Sequence, residues 1–305
     1  MKTGISPMLQ RILADTARET ECERARHSQK RLKQMVKDAP PLMSFRAALT
    51  GGEAMIAEIK QKSPSQGPMR VGNFEAAQAE YKRSRQVKAI SVLTNLTHFG
   101  AGMKMSFLRK VKENTGKPVL RKDFITEEYQ VWQARAFGAD AILLMANLLD
   151  RDQLLRLSDL ASELGMDVLF ETHCPAELDD LPAGAAIVGI NCRNFDARRF
   201  SFSSFQIARL FRIAGVKRDQ SVNLKRFDYA HQLPSSVIKV AESGVTPKNC
   251  RTVFELGFHA VLVGTSLLLD ARGIRAALGE FEAVIEEVRK SRRPAKLQAL
   301  RPVTT

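Results

Sequence analysis

The sequence predicts an α/β fold: a (β/α)8 TIM barrel with extra N-terminal helices. Three observations lead there. Eight short apolar runs rich in branched residues recur along the chain, helix-like segments separate most of them, and charged residues gather at the C-terminal ends of the runs. Strands alternating with helices imply a parallel sheet, and eight such units close into a barrel.

The elements follow in order. Residues 1–50 precede the first run, and "PMLQRILADTARETECERARHSQKRLKQMV" predicts one or two amphipathic helices packed on one mouth of the barrel. The barrel itself is expected over 51–288. Its runs are "MIAEIK" (55–60), "AISVLT" (89–94), "PVLRKDF" (118–124) and "AILLMA" (141–146), then "DVLFETH" (167–173), "AIVGIN" (186–191), "VIKVAESG" (237–244) and "AVLVGT" (260–265). The intervening "FEAAQAEYKRSRQ", "EEYQVWQARAFG" and "RDQLLRLSDLASELG" are helical in pattern, and Gly138, Gly165 and Gly257 stand where helix C-caps are needed before the next strand. A basic insert occupies about 198–230, and residues 289–305 are expected to form a basic, disordered tail.

Composition narrows the functional class. The chain has 305 residues, 44% hydrophobic and 26% charged, which suits a globular protein with a large core. No secretory pattern opens it, and no apolar run approaches a membrane span, so no membrane partner is expected. Cys22, Cys174, Cys192 and Cys250 are scattered, which fits a reducing cytoplasm, and neither they nor the five histidines have metal-ligand spacing, so no metal is expected. The net charge is +14. Residues 198–226 hold eight Lys/Arg against one acid, and 290–305 hold five with no acid, so the excess sits in one insert and one tail. With one Trp and three Tyr in the chain, base-stacking aromatics are sparse, and a solvated basic surface is favoured over a nucleic-acid site. An insert leaving the active-site end also places positive charge where it would steer an anionic substrate.

The stretch "MIAEIKQKSPSQG" carries Glu58 and Lys60 on one strand face, because residues two apart point the same way. Barrel enzymes place their active sites at the C-terminal strand ends. Lys122, Glu171, Asn191, Arg193, Glu242 and Ser243 stand at other strand ends, so the charges of run 1 face a shared mouth rather than a dry core. An interior ion-pair network is the alternative for any single pair. Runs 7 and 8 end in "ESG" and "VGTS", and the loops after strands 7 and 8 are the common phosphate site of such barrels. Gly244, Gly264 and Thr265 are the phosphate candidates, and Ser63, Pro64 and Ser65 form a loop placed to cover them.

At these residues the sequence resembles the indole-3-glycerol phosphate synthase family. "IAEIKQKSPSQG", "ISVLT", "PVLRKDF", "GADAILLMANLL", "LFETH", "GINCRNF" and "VAESGV…LVGTSLL" carry the resemblance over roughly residues 8 to 285. It implies closure of the indole ring of 1-(o-carboxyphenylamino)-1-deoxyribulose 5-phosphate with loss of CO2 and water, in tryptophan biosynthesis, with no cofactor. The substrate is then a small molecule bearing carboxylate and phosphate. The resemblance implies that Lys122 is the acid that protonates the ketone oxygen and that Glu171 is the base of the later dehydration. Lys60 meets the carboxylate and phosphate region, with Glu58 and Glu242 in the acidic network. Asn191 and Arg193 orient the substrate, and Ser243, Gly244, Gly264 and Thr265 lie on the phosphate side. Phe99 and Phe124 wall the aromatic ring, and Leu143, Phe195 and Leu262 complete the apolar lining. A lysine beside another cation is expected to have a lowered pKa, which helps it give up its proton. A monomer is expected, with other tryptophan-pathway enzymes as candidate partners.

Four positions depart from the family pattern: Asn95 replaces Glu, His98 replaces Tyr, Cys192 stands where Asn or Ser is common, and Phe195 replaces Leu. By alternation Cys192 points away from the pocket. Two other readings compete: a different phosphate-binding barrel enzyme, such as phosphoribosylanthranilate isomerase, and a nucleic-acid-binding or scaffold protein on a retired barrel. The first needs a Cys and Asp pair at strand ends that here carry Glu58, Lys60 and Lys122. The second leaves the converging charges without a purpose.

Overall fold

Eight parallel strands close on themselves in the computed structural model, which describes residues 2, 5–63, 67–70, 72–100, 105–192 and 229–292. They are β1 (Ala54–Ile59), β2 (Val87–Leu93), β3 (Val119–Lys122), β4 (Ala141–Met145), β5 (Asp167–Thr172), β6 (Ile187–Asn191), β7 (Ile238–Glu242) and β8 (Ala260–Val263). Each pairs with the next, and β8 pairs with β1 in the register Ala54↔Ala260 to Ala57↔Val263. All six residues of β1 are buried, as a strand covered on both faces requires.

Helices cover the outside: α4 (Asn73–Arg83), α5 (Ser106–Thr115), α6 (Glu128–Ala136), α7 (Arg151–Glu163) and α8 (Pro247–Glu255), with the short α9 (Thr265–Leu268) and long α10 (Ile274–Arg292) after β8. Local signals set their ends. Asp150 accepts from Gln153 N at 2.9 Å to start α7, while Gly138, Gly165 and Gly257 take φ of 95°, 75° and 89° after α6, α7 and α8. The β5–β6 connection departs from the alternating pattern. It holds a 3-10 segment, Pro175–Asp180, in place of an α-helix. The basic insert expected at about 198–230 lies almost wholly outside the described residues; of it, Tyr229 and Ala230 are described and buried.

The N-terminal residues form α1 (Pro7–Arg26), α2 (Gln29–Lys37) and α3 (Phe45–Leu49), and they reach both ends of the barrel rather than one mouth. Over the C-terminal end, Thr16 and Asp15 of α1 meet Asn95 (2.9 Å) and His98 (3.0 Å) just past β2. Alongside the barrel, Leu32 of α2 packs on Tyr129 and Ala136 of α6. Beneath the N-terminal end, the backbone N–H groups of Met43 and Arg46 donate to Asp140 (2.7 Å) and Asp167 (2.9 Å). The boundary expected at 288 is also too early. Helix α10 runs to Arg292, because its last turn is anchored: Arg289 and Arg292 pair with Glu53, and Arg292 donates to Phe254 O at 2.6 Å. Residues 293–305 lie outside the described residues.

One buried acid holds the underside together. The Asp140 side chain is fully enclosed and accepts from Lys112 Nζ (2.6 Å), Met43 N (2.7 Å) and Val119 N (2.8 Å). Asp140→Ala would strand a buried ammonium and two N–H groups. Losing one partner of a buried ion pair costs about 3–5 kcal/mol. Thermal unfolding should therefore start roughly 10 °C lower, at about 2–4 °C per kcal/mol for a chain of this size. An unchanged melting temperature would remove this acid from the stability account.

Candidate active site

The strand ends meet at the C-terminal mouth in one cavity of about 240 Å³. Alternation explains why. Glu58 in β1 and Lys60 just past it share one face, Lys122, Asn191 and Glu242 end β3, β6 and β7, and Glu171 is the last residue but one of β5, all lining the cavity. Register sets Glu171 beside Met145 and Gly189, and Asn191 beside Glu242.

Lys122 sits between Arg121 and Asp123, which point the other way and brace it. Arg121 donates to Asp123 (2.9 Å), Thr94 Oγ1 (3.2 Å) and Gln130 O (2.7 Å), all buried. With its backbone so fixed, the Lys122 ammonium lies 3.2 Å from Glu171 and 3.7 Å from Glu242. Across the cavity Lys60 Nζ donates to Glu58 at 2.6 Å and to Thr265 Oγ1 at 3.1 Å.

These neighbours set the protonation states. Burial alone would lower the Lys122 pKa, but the acids around it, Glu171 first, outweigh it and hold the ammonium well above the usual lysine range. The expected lowering by a neighbouring cation therefore fails, because carboxylates surround this lysine. Burial would raise Glu171, yet Lys122 and His173 hold it down at about 2. Glu242 goes the other way: burial, then the charge of Glu171, pushes it well above the carboxylate range. Neither Glu242 oxygen receives a hydrogen bond. A neutral acid resolves this, since its own proton can be given to Glu171. One carboxylate is thus ionised and its neighbour protonated, the arrangement in which two acids take different roles.

The apolar part of the cavity comes from Phe99 and Phe124, with ring centroids 6.1 Å apart, and from Leu143 and Leu262. On the far side lie Ser243, Gly244, Gly264 and Thr265. Ser243 and Gly244 both have positive φ, 66° and 72°, which strains the serine but not the glycine and turns the chain sharply after β7. Cys192 does not line the cavity; its thiol donates to Ser243 O at 2.7 Å. Ser63 pairs with Gly67 in a two-residue ladder, whereas Pro64, Ser65, Arg193 and Phe195 lie outside the described residues.

Several contributors are absent from the sequence reading. Leu93, Met145 and Val245 add apolar lining, and Ser266 adds a hydroxyl. Asn95 lines the cavity while its amide holds α1 through Thr16. His173 lies 3.4 Å from Glu171, and its place two residues on, just past the end of β5, was the available signal. Gly189 is a glycine because the Glu242 side chain crosses over it: a Cβ there would fall 2.0 Å from Glu242 Oε1. An isolated Gly within a strand marks such an approach.

Gly264 has a second reason of the same kind. A Cβ on it would lie 2.2 Å from Glu58 Oε1, so the position keeps Glu58 in place as well as leaving backbone open. Gly264→Ala should push Glu58 off Lys60 and lower kcat at least about tenfold. If Gly264 acts through Glu58, its loss and that of Glu58→Ala will not add in a double-mutant cycle. Full additivity of the two would contradict this account.

Fold and site together define a (β/α)8 barrel of the enzyme type, with acids and lysines gathered beside two aromatic rings at its C-terminal mouth. Its relatives narrow this further. The profile of one family, Indole-3-glycerol phosphate synthase, matches residues 9–280. Indole-3-glycerol phosphate synthase of Chloroherpeton thalassium is 35% identical over 272 residues, 87% of this chain and 95% of that protein. The Neisseria meningitidis enzyme of the same name is 34% identical over 285 residues, 91% of this chain and all of its own length. The chain belongs to the indole-3-glycerol phosphate synthase family. Among solved structures, 3-hexulose-6-phosphate synthase of Salmonella typhimurium covers 77% of the chain at a TM-score of 0.56 and 17% identity, a likeness of fold.

Proposed function

We propose that this site performs the ring closure of its family with the residues in the following roles. The substrate enters with its aromatic ring between Phe99 and Phe124 and its phosphate toward Ser243, Gly244, Gly264 and Thr265. Lys122 protonates the ketone oxygen as the ring carbon attacks. An ammonium held firmly charged is present at the start of the step, and a developing alkoxide is basic enough to take its proton. Lys60 neutralises the substrate carboxylate until the apolar walls favour its departure as CO2. Glu171, ionised, then takes the C1 proton while the hydroxyl, protonated by the recharged Lys122, leaves as water, and Asn191 and Arg193 orient the hydroxyls. Glu58 and Glu242 hold the two lysines in position.

The single observation that carries this reading is the Lys122–Glu171–Glu242 cluster, an ammonium 3.2 Å and 3.7 Å from two buried carboxyl groups in the cavity at the barrel mouth. The enzyme is read as a cytoplasmic monomer working among other enzymes of tryptophan biosynthesis. Among the described residues no helix is long and apolar enough to cross a membrane. Incubating the purified chain with 1-(o-carboxyphenylamino)-1-deoxyribulose 5-phosphate should produce indole absorbance and fluorescence. A folded protein that leaves this substrate unchanged would overturn the assignment.

A further inference from the structure

We propose that His173 and Glu177 carry a proton from solvent to Glu171 in each turnover, an inference that rests on the ring-closure reading. The need for a route follows from the balance of the reaction. Ring closure joins the aromatic carbon to the ketone carbon, and the ketone oxygen takes one proton. Decarboxylation breaks the bond to the carboxylate, and its electron pair restores the aromatic ring. Dehydration breaks the carbon–oxygen bond, the hydroxyl takes a second proton to leave as water, and C1 gives up one. Two protons are consumed and one returned. Because the carboxylate enters ionised and leaves as neutral CO2, one proton must come from water each cycle.

The acids that handle these protons are poorly placed to meet water. The Glu171 and Glu242 side chains are each 1% exposed. Bound substrate would fill the cavity in front of them. His173 offers a way round. Its Nε2 lies 3.4 Å from Glu171 Oε1, and its Nδ1 lies 3.7 Å from Glu177 Oε2. One imidazole thus faces an inner and an outer carboxylate with different nitrogens, so a proton taken on one side can leave from the other. His173 and Glu177 side chains are 11% and 12% exposed, at the rim of the barrel.

The local chain is arranged to keep this line. Glu177 belongs to the 3-10 segment Pro175–Asp180 that replaces a helix after β5, only four residues past His173. The backbone N–H of His173 donates to Glu177 Oε2 at 2.6 Å and fixes the carboxylate beside the ring. His173, through its nearby ring and its backbone N–H, holds Glu177 below the usual carboxylate range despite its burial. Beyond Glu171 the Lys122 ammonium lies 3.2 Å away; it gives its proton to the ketone oxygen and must be recharged, after which Glu171 is free again to act as base.

The test uses the full chain with His173→Ala, and Glu177→Gln as the second variant, each checked for folding by its melting curve. For a proton shuttle, His173→Ala should lower kcat at least about tenfold with KM within about threefold. Its solvent deuterium isotope effect should exceed that of the parent, and added imidazole should recover part of the rate. Glu177→Gln should show a smaller loss with the same rise in isotope effect. A brace for the turn would change none of the last three readouts. A His173→Ala rate within about twofold of the parent, or a loss that imidazole does not recover and D2O does not enlarge, overturns the proposal. If His173→Ala does not fold, an unchanged isotope effect in Glu177→Gln overturns it alone. These outcomes presuppose a parent that makes indole product; a parent that makes none faults the ring-closure reading instead.

Discussion

Lys122→Ala should lower kcat by about 10² to 10⁴, the range for removing a positioned general acid. The barrel should survive, because its core is built from the strands and covering helices and one of the two acids beside Lys122 is already neutral. With the cation gone, burial is free to push Glu171 up, so the variant loses the base of the later step in the same stroke. The loss should therefore exceed that of the acid alone, and Lys122→Arg should not recover it. A guanidinium keeps the charge, but it holds its proton too tightly to release it. Steady-state rates on a variant with native circular dichroism decide the matter. Turnover within about threefold of the parent would falsify the role.

Glu171→Gln should slow a later step by about 10² or more. The amide keeps the shape and removes the base, so ring closure should still proceed and a ring-closed species should build up in a single turnover. The substitution leaves the burial that is the main cause of Glu242 staying neutral, and it removes the largest attraction on Lys122. With that attraction gone, Lys122 should become easier to deprotonate, which protects the first step while the second fails. Single-turnover traces identical to the parent's would rule out this division of labour.

The fold and much of the site were legible because they rest on local patterns. Eight branched runs and the glycines after α6, α7 and α8 give the barrel, and alternation on β1 places Glu58 and Lys60 on its inner face. What escaped depends on side-chain paths between strands. Gly189 takes its meaning from Glu242, a residue on the neighbouring strand, and Gly264 from Glu58. The direction of the Lys122 shift needed the positions of three carboxylates from three strands. His173 stood in plain view, but its role depends on Glu177, which lies beside it in the 3-10 segment. Residues 289–292 read as the start of a basic tail because charge composition carries no information about Glu53, more than 230 positions away.

That distance has a consequence for how the molecule is made. The seam joins β1 to β8, and the last turn of α10 clasps the residue just ahead of β1. A chain emerging from the ribosome N-terminus first must hold β1 with one edge unpaired until nearly all of it has been synthesised. An unpaired, apolar strand edge invites association with other chains. β8 covers that edge, and the two arginines that resemble the beginning of a dispensable tail then fasten the closed seam, so a chain cut at 288 would pair its strands but lack the clasp.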